Sequence, residues 1–179
     1  GDELAMLTGS PVEILVKALH PDSLFTGHLP FSYWLRWMSL AALDATSAVT
    51  WRLHALVGVT VAAAVTATVL PRGGLLAGLL VALSPVVSFH GQDSSNYAWT
   101  VAAGALVVAG LADPTRRAAW LTAGLCVGVL NDLYAVWLVV GAAAGCVVMA
   151  HAAGRILVRA WIGPALVGLP VAALVVAQV

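Results

Sequence analysis

The chain has 179 residues, of which 61% are hydrophobic and 9% charged, with a mean hydropathy of +0.98 and no net charge. A soluble domain carries about 25% charged residues, so this composition leaves too few polar groups to cover a water-facing surface. It points to an all-α polytopic membrane protein, and the lack of any basic cluster argues against a nucleic-acid partner.

Residues 1–50 read as an outer loop that carries short amphipathic helices. In residues 10–20, Ser10 and Glu13 are spaced for a capping box and Pro11 takes the first helical position. Val12, Leu15, Val16 and Leu19 recur at i, i+3, i+4 and i+7, which predicts one apolar face. His20-Pro21 ends the pattern. A bilayer crossing needs roughly 20 residues, so this helix is expected to lie in the interface. Residues 31–43 repeat the design with a stripe of Phe31, Trp34, Leu35, Met38 and Ala42. Trp34 and Trp37 suit the headgroup level.

Residues 51–179 read as a helix bundle of about six spans, several shorter than the roughly 20 residues usual for a crossing. The first covers 51–70 and stops at Pro71-Arg72-Gly73-Gly74. The second covers 75–89 and is followed by the polar break from His90 to Asn96. The third covers 97–112 and closes at Asp113-Pro114-Thr115-Arg116-Arg117. Asn131-Asp132 separates a fourth, 118–130, from a fifth, 133–150. A basic segment, 151–159, precedes a sixth, 161–179. Gly74-x-x-x-Gly78, Gly124-x-x-x-Gly128 and Gly141-x-x-x-Gly145 are patterns that let helices approach closely. Cys126 and Cys146 lie within apolar runs and read as small apolar side chains.

Assigning successive breaks to opposite sides of the membrane sorts the charges. One side receives Asp2, Glu3, Glu13, Asp22, Asp44, Asp93 and Asp132 against Lys17, Arg36 and Arg52. The other receives Arg72, Arg116, Arg117, Arg155 and Arg159 against Asp113. Basic residues collect on the cytoplasmic side, so the acids are expected to face out of the cytoplasm. The chain lacks an initial Met and stops within an apolar run. It therefore reads as a single transmembrane domain, 1–179, cut from a longer protein at both ends.

The acidic side holds the groups that carry chemistry. Asp2-Glu3 can act as a general base or supply oxygen ligands to a divalent cation; a solvated loop would look the same. Asp93 sits between apolar runs among His90, Gln92, Ser94, Ser95 and Asn96. Ionisable groups at membrane depth are costly and mark functional sites by default, although Asp and Ser also cap helices. For Asp132 the cap is the favoured reading. His28 and His90 can bind a metal or contact phosphate, or serve as hydrogen-bonded structural residues. Arg52 can hold a lipid phosphate or snorkel to headgroups. Ser94 or Ser95 with His90 and Asp93 is too crowded in sequence for a nucleophilic triad, and no G-x-S-x-G turn is present.

The order of these motifs resembles the GT-C membrane glycosyltransferases, in particular the protein O-mannosyltransferases and the lipid A aminoarabinose transferases. Asp2-Glu3 stands where that family has an acidic pair in its first outer loop. Gly27-His28-Leu29-Pro30-Phe31-Ser32-Tyr33-Trp34 is similar to its His-Pro-Pro-Leu-Tyr-Tyr motif, with Leu29 in place of the first Pro. Arg52-Leu53 matches the Arg that opens the next helix, and Leu83-Ser84-Pro85 resembles the end of the following span. Gln92-Asp93-Ser94-Ser95-Asn96-Tyr97 resembles Gln-Glu-Ala-Arg-x-Tyr, with Ser95 where the family often has Arg.

The resemblance implies a transferase in a bacterial plasma membrane whose active face lies outside the cytoplasm. Its donor would be a polyprenyl-phosphate sugar, and its acceptor a hydroxyl on a lipid, glycan or protein. Asp2 would take the acceptor proton and the sugar would transfer with inversion. Asp93 would join Asp2 as a catalytic residue. Glu3, His28, Tyr33, Arg52, Gln92 and Tyr97 would bind substrate, and Glu3, Asp93 and His90 would ligate a divalent metal where one is used. Membrane lipids would be the remaining partners. The alternatives are a non-catalytic transporter or channel, and a structural membrane subunit.

Overall fold

The computed structural model describes residues 10–18, 34–35, 37–38, 41, 48–92, 97–132, 136–153 and 166. Its elements are α1 (Pro11–Ala18), α2 (Ala48–Val69), α3 (Gly74–Leu83), α4 (Pro85–Gln92), α5 (Tyr97–Ala112), α6 (Arg117–Asn131) and α7 (Val136–Ala153). The architecture is all-α, and no strand occurs among the described residues.

The capping box forms at the start of α1. The Ser10 backbone N–H donates to Glu13 Oε2 at 2.8 Å, and the Glu13 N–H donates to Ser10 Oγ at 3.3 Å. The covered side of this helix lies opposite the two valines of the apolar stripe. Ile14 is 1% exposed, whereas Val12 and Val16 stand open. Two residues along a helix turn the chain by about 200°, so burying Ile14 carries both valines to the opposite side. The described residues between 34 and 41 are helical, with Trp34 and Met38 exposed.

α2 is long because nothing in its apolar sequence interrupts it. Its Thr60, Thr66 and Thr68 hydroxyls donate back to the carbonyls of Leu56, Ala62 and Ala64 at 2.8–3.0 Å, which hides their polarity within the helix itself. Pro71 and Gly73 make the turn that follows. Gly73 lies at φ 73°, where a side chain is strained, and its carbonyl accepts the first bond of α3 from Ala77 N–H at 2.9 Å.

The span expected over 75–89 is two helices. The Pro85 ring disfavours helical backbone at the residue before it, and Ser84 is extended at φ −58°, ψ 127°. The apolar run continues through the break, so periodicity alone could not locate it. Ser88 repairs the ladder: its N–H donates to Ser84 O at 2.8 Å and its hydroxyl to Ala82 O at 3.2 Å.

Close contacts set the packing. A Cβ on Gly74 would collide with the Ala67 carbonyl, and one on Gly78 would lie 2.7 Å from Ala63 O, so α3 runs antiparallel against α2. A Cβ on Gly58 would lie 3.0 Å from the Ala98 backbone, while further along Val65 packs with Leu106 and Ala109, making α2 and α5 parallel. α6 returns antiparallel to α5, with Gly124 against Ala103 O and Gly110 against Leu121. Gly104 faces Leu138 and Gly145 faces Leu111, so α7 runs parallel to α5. Two of the three glycine patterns thus serve packing through their first residue. In the third, Gly141 is exposed with open space beside it and only Gly145 is in contact, which corrects that expectation.

The interior is built from small residues. Ala55, Ala62, Ala98, Ala102, Ala103, Ala109 and Ala142 are buried, together with Leu106, Val107, Leu121 and Leu125. Leu75, Leu76, Leu79, Leu80, Val86, Phe89, Val147 and Val148 face outward. Among the described residues, Arg52–Val69 is the stretch of helix long and apolar enough to cross a membrane, and 28% of it is buried within the bundle. Gly74–Leu83 and Tyr97–Ala112 are shorter apolar helices. Residues of the expected sixth span lie outside the described residues except for Leu166, which is helical and exposed.

Candidate functional site

The helix directions give the bundle two ends. α2 and α5 begin and α6 finishes at one of them, which also receives the end of α4. Here Gly58 contacts Ala98 and Trp99, so Arg52 and His54 stand within two turns of the start of α5. Arg52 is exposed, and so is Tyr97, the first residue of α5. Gln92 is the last residue of α4, with His90 half a turn before it. Four predicted site residues, Arg52, His90, Gln92 and Tyr97, are therefore helical residues at one end of the molecule. Asp2, Glu3, His28, Tyr33 and Asp93 lie outside the described residues.

Beneath this rim is a set of buried polar side chains. His54 and Asp132 are 3% exposed and Asn131 is 0% exposed. Asn131 Nδ2 donates to Thr100 Oγ1 at 3.2 Å, tying the end of α6 to the first turn of α5. Asp132 terminates α6 with extended backbone (φ −152°, ψ 134°), and its N–H donates to Gly128 O at 3.1 Å. Its backbone closes α6 and its side chain is buried; the cap expected of it involves residues 133–135, outside the described residues. The Asn131–Thr100 bond fixes the end of α6 against the start of α5.

His54 and Asn131 were not singled out from the sequence. The signal was present for both: an ionisable residue one turn inside an apolar span, and an Asn directly before the residue that breaks a helix. Chemically, the rim offers the exposed Arg52 guanidinium, which can pair a phosphate through two N–H donors, and the exposed Tyr97 phenol.

The opposite end is basic among the described residues. Arg72, Arg116 and Arg117 gather there with Asp113, as the alternation of charges predicted. Arg117 is buried, and its Nε–H donates to Gly110 O at 3.2 Å, where it satisfies a carbonyl in the last turn of α5. Asp113 organises the turn. Its Oδ1 accepts from the Thr115 hydroxyl at 2.6 Å, the Thr115 N–H at 2.8 Å and the Arg116 N–H at 3.3 Å. The Thr115 hydroxyl first, and the Thr115 and Arg116 backbone donors after it, hold the Asp113 carboxyl below its ordinary value against a smaller opposing effect of burial.

Among the described residues no group of three His, Cys, Asp or Glu side chains is arranged to hold a metal ion. No family model matches the chain, no curated protein matches it, and no solved structure matches it.

Proposed function

We propose that the chain is the membrane-embedded bundle of a glycosyltransferase that moves a sugar from a polyprenyl-phosphate donor to an acceptor hydroxyl. The reading rests on the motif order of the GT-C enzymes. The observation that carries it is the meeting of Arg52, His90, Gln92 and Tyr97 at one helix end. Arg52 comes from one motif and Gln92 and Tyr97 from another forty residues on, with His90 just before it, and a shared site requires the two segments at one end.

The outward sorting of Leu and Val over a small-residue interior supports embedding in lipid. Soluble monomers rarely expose contiguous apolar patches beyond a few hundred Å², whereas helices in lipid pack through Gly and Ala. The six-span arrangement and the outward-facing site belong to this proposal. Asp2 is the base that accepts the proton of the attacking hydroxyl. Arg52 neutralises the phosphate leaving group, as developing charge demands, and Gln92 and Tyr97 orient the donor. Asp93, with Glu3 and His90, completes the site, either with a divalent cation or through hydrogen bonds to the phosphate.

A transporter would need polar groups along its length. The buried polar side chains among the described residues lie at the two ends, His54, Asn131 and Asp132 at one and Arg117 at the other. This distribution favours a site at a mouth over a conduit.

The test is sugar transfer from a labelled polyprenyl-phosphate sugar in membranes that contain the protein. A positioned general base contributes about 10²–10⁴-fold to rate, so Asp2→Asn is expected to lower transfer by that factor, and Asp93→Asn to abolish it, while both variants still insert. Undiminished transfer in both removes the proposed chemistry.

A further inference from the structure

The Arg116 end contains a cleft of about 330 Å³ lined by Thr68, Val69, Pro71, Asp113, Arg116 and Trp120, among others. That size lies within the range of small-ligand sites, about 300–1,000 Å³. The sugar-transfer reading makes no use of it, since it lies at the opposite end from Arg52.

Its lining carries both signs of charge. All three hydrogen bonds to Asp113 fall on Oδ1, and Oδ2 takes none of them. The carboxylate carries its negative charge at neutral pH, as an Asp of ordinary value does. Arg116 is exposed and presents its guanidinium from the N-terminal side of α6, with Arg72 on the adjoining turn. The Trp120 indole forms one wall. An anion alone would meet Asp113, and a cation alone would meet Arg116. A ligand with a phosphate and a primary ammonium a few bonds apart satisfies both. The apolar walls, Val69 and the two prolines, suit the glycerol side of such a molecule at the edge of a bilayer.

We propose that this cleft binds the phosphoethanolamine headgroup of a membrane phospholipid, with the phosphate on Arg116 and the ammonium on Asp113 and the Trp120 face. The site rests on the membrane-embedded part of the functional reading and not on sugar transfer. Exposed carboxylates and tryptophan faces each attract ammonium groups, and cationic residues at this end of a membrane protein commonly meet lipid phosphates.

The experiment uses the whole chain, purified in detergent and stripped of lipid, with thermal unfolding followed as lipid is added. The probes are phosphatidylethanolamine, its N-acetyl derivative, which keeps the phosphate but loses the ammonium, and phosphatidylglycerol. Phosphatidylethanolamine is expected to reach half its stabilising effect at about a tenth the concentration of either competitor, the effect of roughly one charge-assisted bond. Arg116→Gln is expected to weaken all three, and Asp113→Asn to erase the preference. Equal responses to phosphatidylethanolamine and its N-acetyl derivative on the unaltered protein overturn the proposal without any variant having to fold. A preference that survives both substitutions also overturns it. A chain that partitions into vesicles yet shows no such preference loses the headgroup site alone. A chain that fails to partition loses the membrane reading as well.

Discussion

At the residue scale, the turn between α5 and α6 depends on one carboxylate. Asp113 accepts three hydrogen bonds, and the Thr115 hydroxyl is the largest cause of its lowered pKa. A carboxyl whose folded value lies below its unfolded one binds fewer protons folded than unfolded in between. Its contribution to stability is therefore present above the ordinary value of 3.8 and is lost as pH falls through the lowered folded value. Thr115→Val is expected to move the Asp113 midpoint back toward 3.8, measured from its carboxyl ¹³C shift. An unchanged midpoint would mean that the backbone donors alone set it. The buried layer of His54 and Asn131 shows what a one-dimensional reading passes over. Each stands within or beside an apolar run, where hydropathy averages it away. Burial depends on which neighbour covers it, and Gly58 against Ala98 is a contact between residues forty apart.

At the element scale, helix pairing relies on bare backbone. The Gly78 position lies 2.7 Å from Ala63 O and from Ala67 Cβ, and the carbonyl cannot swing aside as a side chain would. Gly78→Val is expected to cost about 1–3 kcal/mol, whereas Gly141→Val, facing open space, should fall within about 0.5 kcal/mol. Titration of unfolding with sodium dodecyl sulfate distinguishes them; equal costs would place the small-residue seam elsewhere. The helix limits were legible where strong punctuation coincided with the end of an apolar run. α5 begins at Tyr97 and ends at Ala112 as expected, and α6 differs by one residue at each end. They were not legible at Ser84, because Pro85 acts on its predecessor through sterics while the apolar pattern runs on. For α1 the capping signals held, while the burial of Ile14 was not legible, since spacing reports a stripe and not the partner that covers the helix.

At the scale of the whole molecule, the alternation of charge agrees with the directions of the helices. Arg52 and Asp132 share one end, and Arg72, Asp113, Arg116 and Arg117 share the other. With Cys126 and Cys146 replaced by Ala, single cysteines at 52, 72 and 116 test the sidedness, all three native residues being exposed. An impermeant thiol reagent is expected to label positions 72 and 116 only from the cytoplasmic side, and position 52 only from the other. Labelling of all three from one side would dissolve the proposed topology. The candidate site was legible as a set of motifs at this scale. Its residues at one helix end follow from the parallel course of α2 and α5, which no local pattern encodes.

The small-residue interior has a thermodynamic consequence. Heat-capacity change on unfolding comes mainly from apolar surface newly exposed to water. With many of its large side chains already turned outward, and with hydrocarbon around it before and after the helices part in the proposed bilayer setting, this bundle would have little such surface left to hydrate. Its free energy of unfolding in a bilayer should therefore fall almost linearly with temperature, with no maximum near room temperature and no melting on cooling.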